Sequence, residues 1–257
     1  MIINGRTIET KWWGPAADVA PTVVLLHEGL GCVALWRDFP DALAAATGCG
    51  VFAYSRFGYG DSDPVILPRP MSYMHDEALK VLPGVLDAAG IGRAMLLGHS
   101  DGGSIAAIHA GAVRDPRIAG VVMMAAHFFV EDLNIESIRE IKQSYEQGDL
   151  RPRLARYHRD VEVAFRGWND AWLDPRFRAF DITDEVARIR VPVLALQGSD
   201  DPYGSDEQLR TLERTARCPV ETRLIEGARH SPHLEAPAAT LEAIVPFVRS
   251  VLMEATA

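Results

Sequence analysis

Six short apolar or β-branched runs, each separated from the next by a stretch with helical spacing, constrain the fold of this chain more than any other feature. They occupy residues 23–27, 50–55, 94–98, 118–124, 191–197 and 220–225. Continuous apolar runs of this length suit strands buried on both faces, and the helical stretches between them suit crossovers that cover those faces. The pattern predicts successive βα units in a mostly parallel sheet. Nearly half of the 257 residues are hydrophobic and 24% are charged, which is enough apolar surface for one sizeable core. At the start of the chain, polarity alternates around Asn4-Gly5, a dipeptide suited to a tight hairpin turn. Two antiparallel strands are expected to begin the sheet there. The expectation is therefore an α/β fold with a mostly parallel eight-stranded sheet and helices on both faces. Further helix signals are Ser72 ahead of a periodic run to about Gly90, and Pro237 near the start of the last helix.

One interval breaks the rhythm. Roughly 65 residues separate Met124 from Val191, too many for a single crossover helix. Helical patterns cover 135–147 and 151–165, followed by Trp168, Trp172, Pro175 and Phe177. We read residues 128–180 as a small helical cap over the C-terminal edge of the sheet, where open α/β sheets bind ligands. Residues 1–127 and 181–257 then form the core domain.

The strongest local signal is Gly98-His99-Ser100-Asp101-Gly102, between the run 94–98 and a helical pattern over 101–113. A nucleophile on a sharp strand-to-helix turn needs small residues two positions before and after it, and Gly98 and Gly102 supply them. The turn would also set the Ser100 hydroxyl at a helix N-terminus, whose free amides favour developing negative charge. Serine is a weak nucleophile without a base, so this reading requires a carboxylate and then a histidine farther along the chain. Candidates for both lie at strand ends. Gly198-Ser199-Asp200-Asp201-Pro202 follows one strand, and Gly227-Ala228-Arg229-His230-Ser231-Pro232-His233 follows another.

With these segments in that order, the chain resembles the α/β-hydrolase superfamily over nearly its whole length, as a small-cap, carboxylesterase-like serine hydrolase. The resemblance favours Asp201, directly before Pro202, over Asp200. It favours His230, with Glu235 five residues on and Pro237 seven on, over His233. Ser100, Asp201 and His230 would then form the catalytic triad. The resemblance also implies two oxyanion-hole amides. One is that of Asp101, and the other is that of Gly29 or Leu30, in the loop His27-Glu28-Gly29-Leu30-Gly31.

Glu28 poses a physical problem there, because a carboxylate near an oxyanion destabilises it. Pairing with Arg56, in the segment Ser55-Arg56-Phe57-Gly58-Tyr59-Gly60, is one solution; two solvated loop charges are the other. His127, Phe128, Trp168 and Trp172 are candidate substrate-binding residues, although packing explains the aromatic ones as well. His99 and His109 are assigned to structure.

Several function classes are disfavoured. The formal charge of −9 works against a polyanion-binding surface, so nucleic acid is not expected as a partner. No run approaches the roughly 18 apolar residues of a membrane span, and the first residues show no leader pattern, so no membrane association and a cytoplasmic location are expected. Cys32, Cys49 and Cys218 lack metal-type spacing, and neither a disulfide framework nor a metal site is expected. No cofactor is implied, because neither a Gly-x-Gly-x-x-Gly segment after the first parallel strand nor a Lys-containing phosphate loop is present. A serine at position 100 also disfavours epoxide and halide chemistry, for which the resembling family uses an Asp nucleophile. The expected activity is cleavage of a small or medium carboxylic ester. Lactone, thioester or carbon–carbon hydrolysis, perhydrolysis, and a hydrolase-fold small-molecule receptor remain alternatives. Oligomeric state is not legible.

Overall fold

The computed structural model describes residues 1–253. The first two strands, β1 (Ile2–Ile3) and β2 (Arg6–Thr7), form the expected hairpin, with Asn4 at φ 52° and Gly5 at φ 75° in its turn. Among the described residues this hairpin pairs only with itself. The main sheet therefore has seven strands rather than eight. Its antiparallel edge is β3 (Thr10–Trp13), paired with β5 (Gly50–Tyr54). The remaining strands are β4 (Thr22–Leu26), β6 (Ala94–His99), β7 (Ile118–Met124), β8 (Val193–Gly198) and β9 (Val220–Ile225). The order β3-β5-β4-β6-β7-β8-β9 is parallel from β5 onward.

Side chains alternate across the sheet with period two, so each strand feeds two cores. Val23 and Leu25 of β4, with Met95 and Leu97 of β6, pack beneath α1 (Phe39–Thr47) and the last helix, α11 (Pro237–Leu252). Val24, Leu26 and Leu96 face the opposite core, shared with α2 (Tyr73–Asp76), a π-type turn at Glu77–Val81, α3 (Leu82–Ala88) and α4 (Asp101–Ala112). The predicted helical run from Ser72 is thus present, but the Ser72 hydroxyl bonds Asp76 Oδ2 instead of capping the backbone.

The interval between β7 and β8 folds as α5 (Asp132–Gln147), α6 (Leu150–Leu154), α7 (Val161–Leu173), a 3-10 turn at Pro175–Ala179 and α8 (Thr183–Val186). The pattern over 151–165 predicts one helix, and the structure breaks it between α6 and α7. Asp160 is the reason, since its side chain accepts the Val163 amide at 3.0 Å and starts a new helix. Short helices α9 (Glu207–Thr215) and α10 (Pro232–Glu235) complete the chain. Among the described residues no helix is long and apolar enough to cross a membrane. No group of three or more His, Cys, Asp or Glu side chains among them is placed to hold a metal ion.

Candidate active site

Ser100 follows the last residue of β6 and precedes the first of α4, with φ 53° and ψ −119°, a conformation that side chains rarely adopt. The surrounding glycines are sterically required. A Cβ at Gly98 would fall on the carbonyl oxygen of Gly102, and one at Gly102 would fall on that of Leu26. Both obstacles are backbone, so neither can yield. The Ser100 amide is tied to the Met124 carbonyl of β7 at 2.8 Å, which locks the turn to the sheet.

His230 and Asp201 meet at the same edge. His230 Nδ1 lies 3.0 Å from both oxygens of Asp201. Because a carboxylate only accepts, Nδ1 carries the proton and Nε2 is left as the basic nitrogen. Asp201 is itself fixed by the Tyr203 amide at 2.8 Å and by Gln197 Nε2 at 2.5 Å. Burial pushes the Asp201 carboxyl up, but the charge of His230 and the donors around it leave it below the ordinary carboxylate range. The neighbouring acid, Asp200, is exposed, and its amide holds the Ala228 carbonyl. The other histidine of that segment, His233, is buried among Trp36, Phe39 and His99. Burial then lowers its pKa to about 3.

The loop after β4 differs from expectation. Arg56 does not pair with the Glu28 carboxylate. Its guanidinium is buried and donates to two main-chain oxygens, His27 O from Nη1 at 2.5 Å and Glu28 O from Nη2 at 3.0 Å. Its nearest carboxylate is Asp101, at 3.8 Å. Glu28 instead folds back over Gly31, where a Cβ would overlap its carboxylate, and lies 3.6 Å from His99 Nδ1. The other ring nitrogen of His99 donates to the His230 carbonyl at 2.7 Å. Burial works against a charged His99, yet the Glu28 carboxylate raises it above its ordinary value, and Glu28 is correspondingly held low. His99, assigned to structure from the sequence, thus connects the Glu28 loop to the backbone of His230.

These elements surround a cavity of about 320 Å³ that Ser100, Asp101, Gly29, Leu30, His127, Trp168, Trp172 and His230 help to line. Phe128 is the exception among the expected pocket residues. Its side chain is buried in the core, and its amide donates to Gln208 Oε1. Both residues lie beyond β7, and only His127 lines the cavity. Trp168 packs on Gly29, leaving no room there for a Cβ. Trp172 Nε1 donates to Asp101 Oδ1 at 3.1 Å, and the Tyr73 hydroxyl donates to Asp101 Oδ2 at 2.7 Å. Burial raises the Asp101 carboxyl, with Arg56 and these two donors drawing it back. Burial, with a smaller contribution from His230, lowers His127 to about 3 and keeps its imidazole neutral.

A model of the alpha/beta hydrolase family matches residues 23–243, most of the chain. The chain belongs to that family. Among its relatives, this alpha/beta hydrolase is 27% identical to a non-heme chloroperoxidase from Streptomyces lividans, over 96% of this chain and 98% of the relative. It superposes on the crystal structure of VinJ with a TM-score of 0.76 at 20% identity, covering 98% of both chains. An esterase from a Rhodococcus species gives a TM-score of 0.71 at 20% identity, covering 97% of both. Against that family background, the sequence reading of this alpha/beta hydrolase missed His158, Gln197 and Tyr203. His158 sits in the break between α6 and α7, accepts the Gly60 amide at 3.0 Å and donates to the Leu30 carbonyl at 3.0 Å. No local pattern announces such a residue. Tyr203 and Gln197 were more accessible, since both flank the acid loop that the motif had already located.

Proposed function

We propose that this alpha/beta hydrolase cleaves a small or medium carboxylic ester through an acyl-enzyme intermediate. The observation that carries the proposal is the Asp201-fixed imidazole of His230, lining one cavity with a serine on a strained strand-to-helix turn. In this reading the Ser100 hydroxyl attacks the ester carbonyl while His230 Nε2 takes its proton, and Asp201 stabilises the imidazolium. The tetrahedral oxyanion is met by the Asp101 amide and by an amide of the Gly29-Leu30 turn. Collapse breaks the ester C–O bond, with the His230 proton passing to the leaving alkoxide. Water, deprotonated by the same imidazole, then attacks the acyl group and frees the acid.

Cavity size supports a modest substrate, since 320 Å³ lies near the lower end of the roughly 300–1,000 Å³ usual for small-molecule sites. Leu30, Ile138, Trp168 and Trp172 give it an apolar wall, suited to an acyl chain or alkoxy group rather than a charged one. The similarity to an esterase structure supports the fold that such chemistry uses.

Turnover on a chain-length series of p-nitrophenyl esters, with Ser100→Ala as control, tests the proposal. Multiple turnovers falling at least about 10⁴-fold in the control are expected. A single slow turnover, combined with a ligand-dependent rise in melting temperature, would favour the receptor reading instead.

A further inference from the structure

A fully buried guanidinium needs explanation, because desolvating such a charge is costly unless it is matched by partners. Arg56 spends two of its nitrogens on main-chain carbonyls rather than on a bidentate carboxylate. Both carbonyls belong to the loop that faces Ser100 across the cavity. The Glu28 oxygen is held by three donors: Arg56 Nη2 at 3.0 Å, His27 Nδ1 at 2.7 Å and the Gly31 amide at 3.1 Å. His27 is fixed in turn, because its Nε2 accepts the Arg56 amide at 3.0 Å.

A peptide unit is planar, and in the trans form its C=O and N–H point in opposite directions. The Glu28–Gly29 bond is trans. Clamping the Glu28 oxygen against the buried Arg56 side therefore turns the Gly29 N–H the other way, to the side where Gly29 meets the cavity. Among the described residues that amide has no acceptor. Among the described residues no comparable clamp holds the Gly29 carbonyl, whose orientation governs the Leu30 amide.

We infer that Arg56 is a positioning residue for the oxyanion hole: its fork fixes and polarises the Glu28–Gly29 peptide so that Gly29, rather than Leu30, presents the second amide. The same guanidinium stands 3.8 Å from the carboxylate of Asp101, the residue whose own amide is the first donor. One buried cation therefore backs both donors, and its charge strengthens them as the oxyanion forms. This inference rests on the acyl-transfer reading above and adds the group that aims its electrostatics.

The test compares wild type, Arg56→Met, Arg56→Lys, Asp101→Asn and the double variant Arg56→Met/Asp101→Asn. Each is measured for kcat and KM on p-nitrophenyl butyrate, for inhibition by an alkyl boronic acid that forms a tetrahedral adduct on Ser100, and for melting temperature. Arg56→Met should lose about 100-fold in kcat, the scale of one oxyanion donor, with KM nearly unchanged. Boronate affinity should fall in parallel. Adding Asp101→Asn removes the unpaired buried carboxylate, so the melting temperature should recover while the kcat deficit relative to Asp101→Asn persists. Recovery of kcat together with the melting temperature would make Arg56 merely the counter-ion of Asp101 and overturn the inference. If Arg56→Met does not fold, Arg56→Lys decides, because an ammonium lacks the planar fork that reaches both carbonyls. Wild-type kcat and boronate affinity in that variant would also overturn the inference. Full activity of Arg56→Met beside an inactive Ser100→Ala would refute only the role of Arg56, whereas turnover by Ser100→Ala would refute the hydrolase reading itself.

Discussion

Gly29→Ala isolates the contact between the loop after β4 and α7. The backbone of Gly29 lies outside the left-handed region, so alanine is excluded by space alone. A Cβ there would lie 2.8 Å from Trp168 Cε2, with the indole Nε1 and Cδ1 nearer still. Ordinary contact requires about 3.5 Å. Cε2 must therefore retreat by about 0.7 Å, and the nearer atoms by more than about 1 Å. Trp168 is 7% exposed and held within the core cluster, so the loop absorbs part of that displacement. A misplacement of about 1 Å at a reacting centre costs on the order of 100-fold in rate, or about 2.7 kcal/mol of transition-state stabilisation. Overpacking should cost about 1–3 kcal/mol of stability in addition. Initial rates on p-nitrophenyl butyrate, measured as kcat/KM, give the first number, and thermal unfolding gives the second. A double-mutant cycle with Trp168→Leu checks the cause. In that background Gly29→Ala should cost less than about fivefold, since the obstructing ring is gone. Near-wild-type activity of Gly29→Ala, or an equal loss with and without the indole, would refute the steric reasoning.

Two further predictions concern buried charges. Burial works against a charged His99, but Glu28 raises it above its ordinary value of 6.5, so the pair's stabilisation is fully present between the ordinary Glu value of 4.5 and 6.5 and is lost as pH rises through the raised value. The melting-temperature gap between wild type and His99→Gln should therefore shrink from about pH 5 to about pH 9; a constant gap would remove the pair from the account. Trp172→Phe deletes one of the donors to the buried Asp101 carboxylate and should cost about 1–3 kcal/mol. Calorimetry should register this as a drop in melting temperature at roughly 2–4 °C per kcal/mol, and an unchanged value would show that the bond contributes nothing.

Much of the core was legible because its signals are local. A parallel strand buried on both faces must be an apolar run, and β4 to β9 lie within a residue or two of the expected positions. The glycines around Ser100 were equally legible, because backbone crowding at a strand-to-helix turn depends only on neighbours in sequence. The strand count was not. A two-residue hairpin and an edge strand look alike in sequence, and only the pairing partner separates β1 and β2 from β3. The helix break at Asp160 was hidden for a related reason, since the apolar spacing continues through it while a single side chain redirects the backbone.

By itself, then, the sequence determined the layered α/β architecture, the turn that carries Ser100 and two polar loops at strand ends. Each of these follows from spacing within a few residues, whereas the preference for Asp201 over Asp200 and for His230 over His233 came from the resemblance to a family. Tertiary structure alone decided the partners of the buried charges: Arg56 on the carbonyls of His27 and Glu28, Glu28 beside His99, and Trp172 on Asp101. These contacts join segments dozens of residues apart. A charge removed from water takes whichever donors or acceptors the packed chain brings within reach, and that choice is made in space, where sequence distance carries no weight.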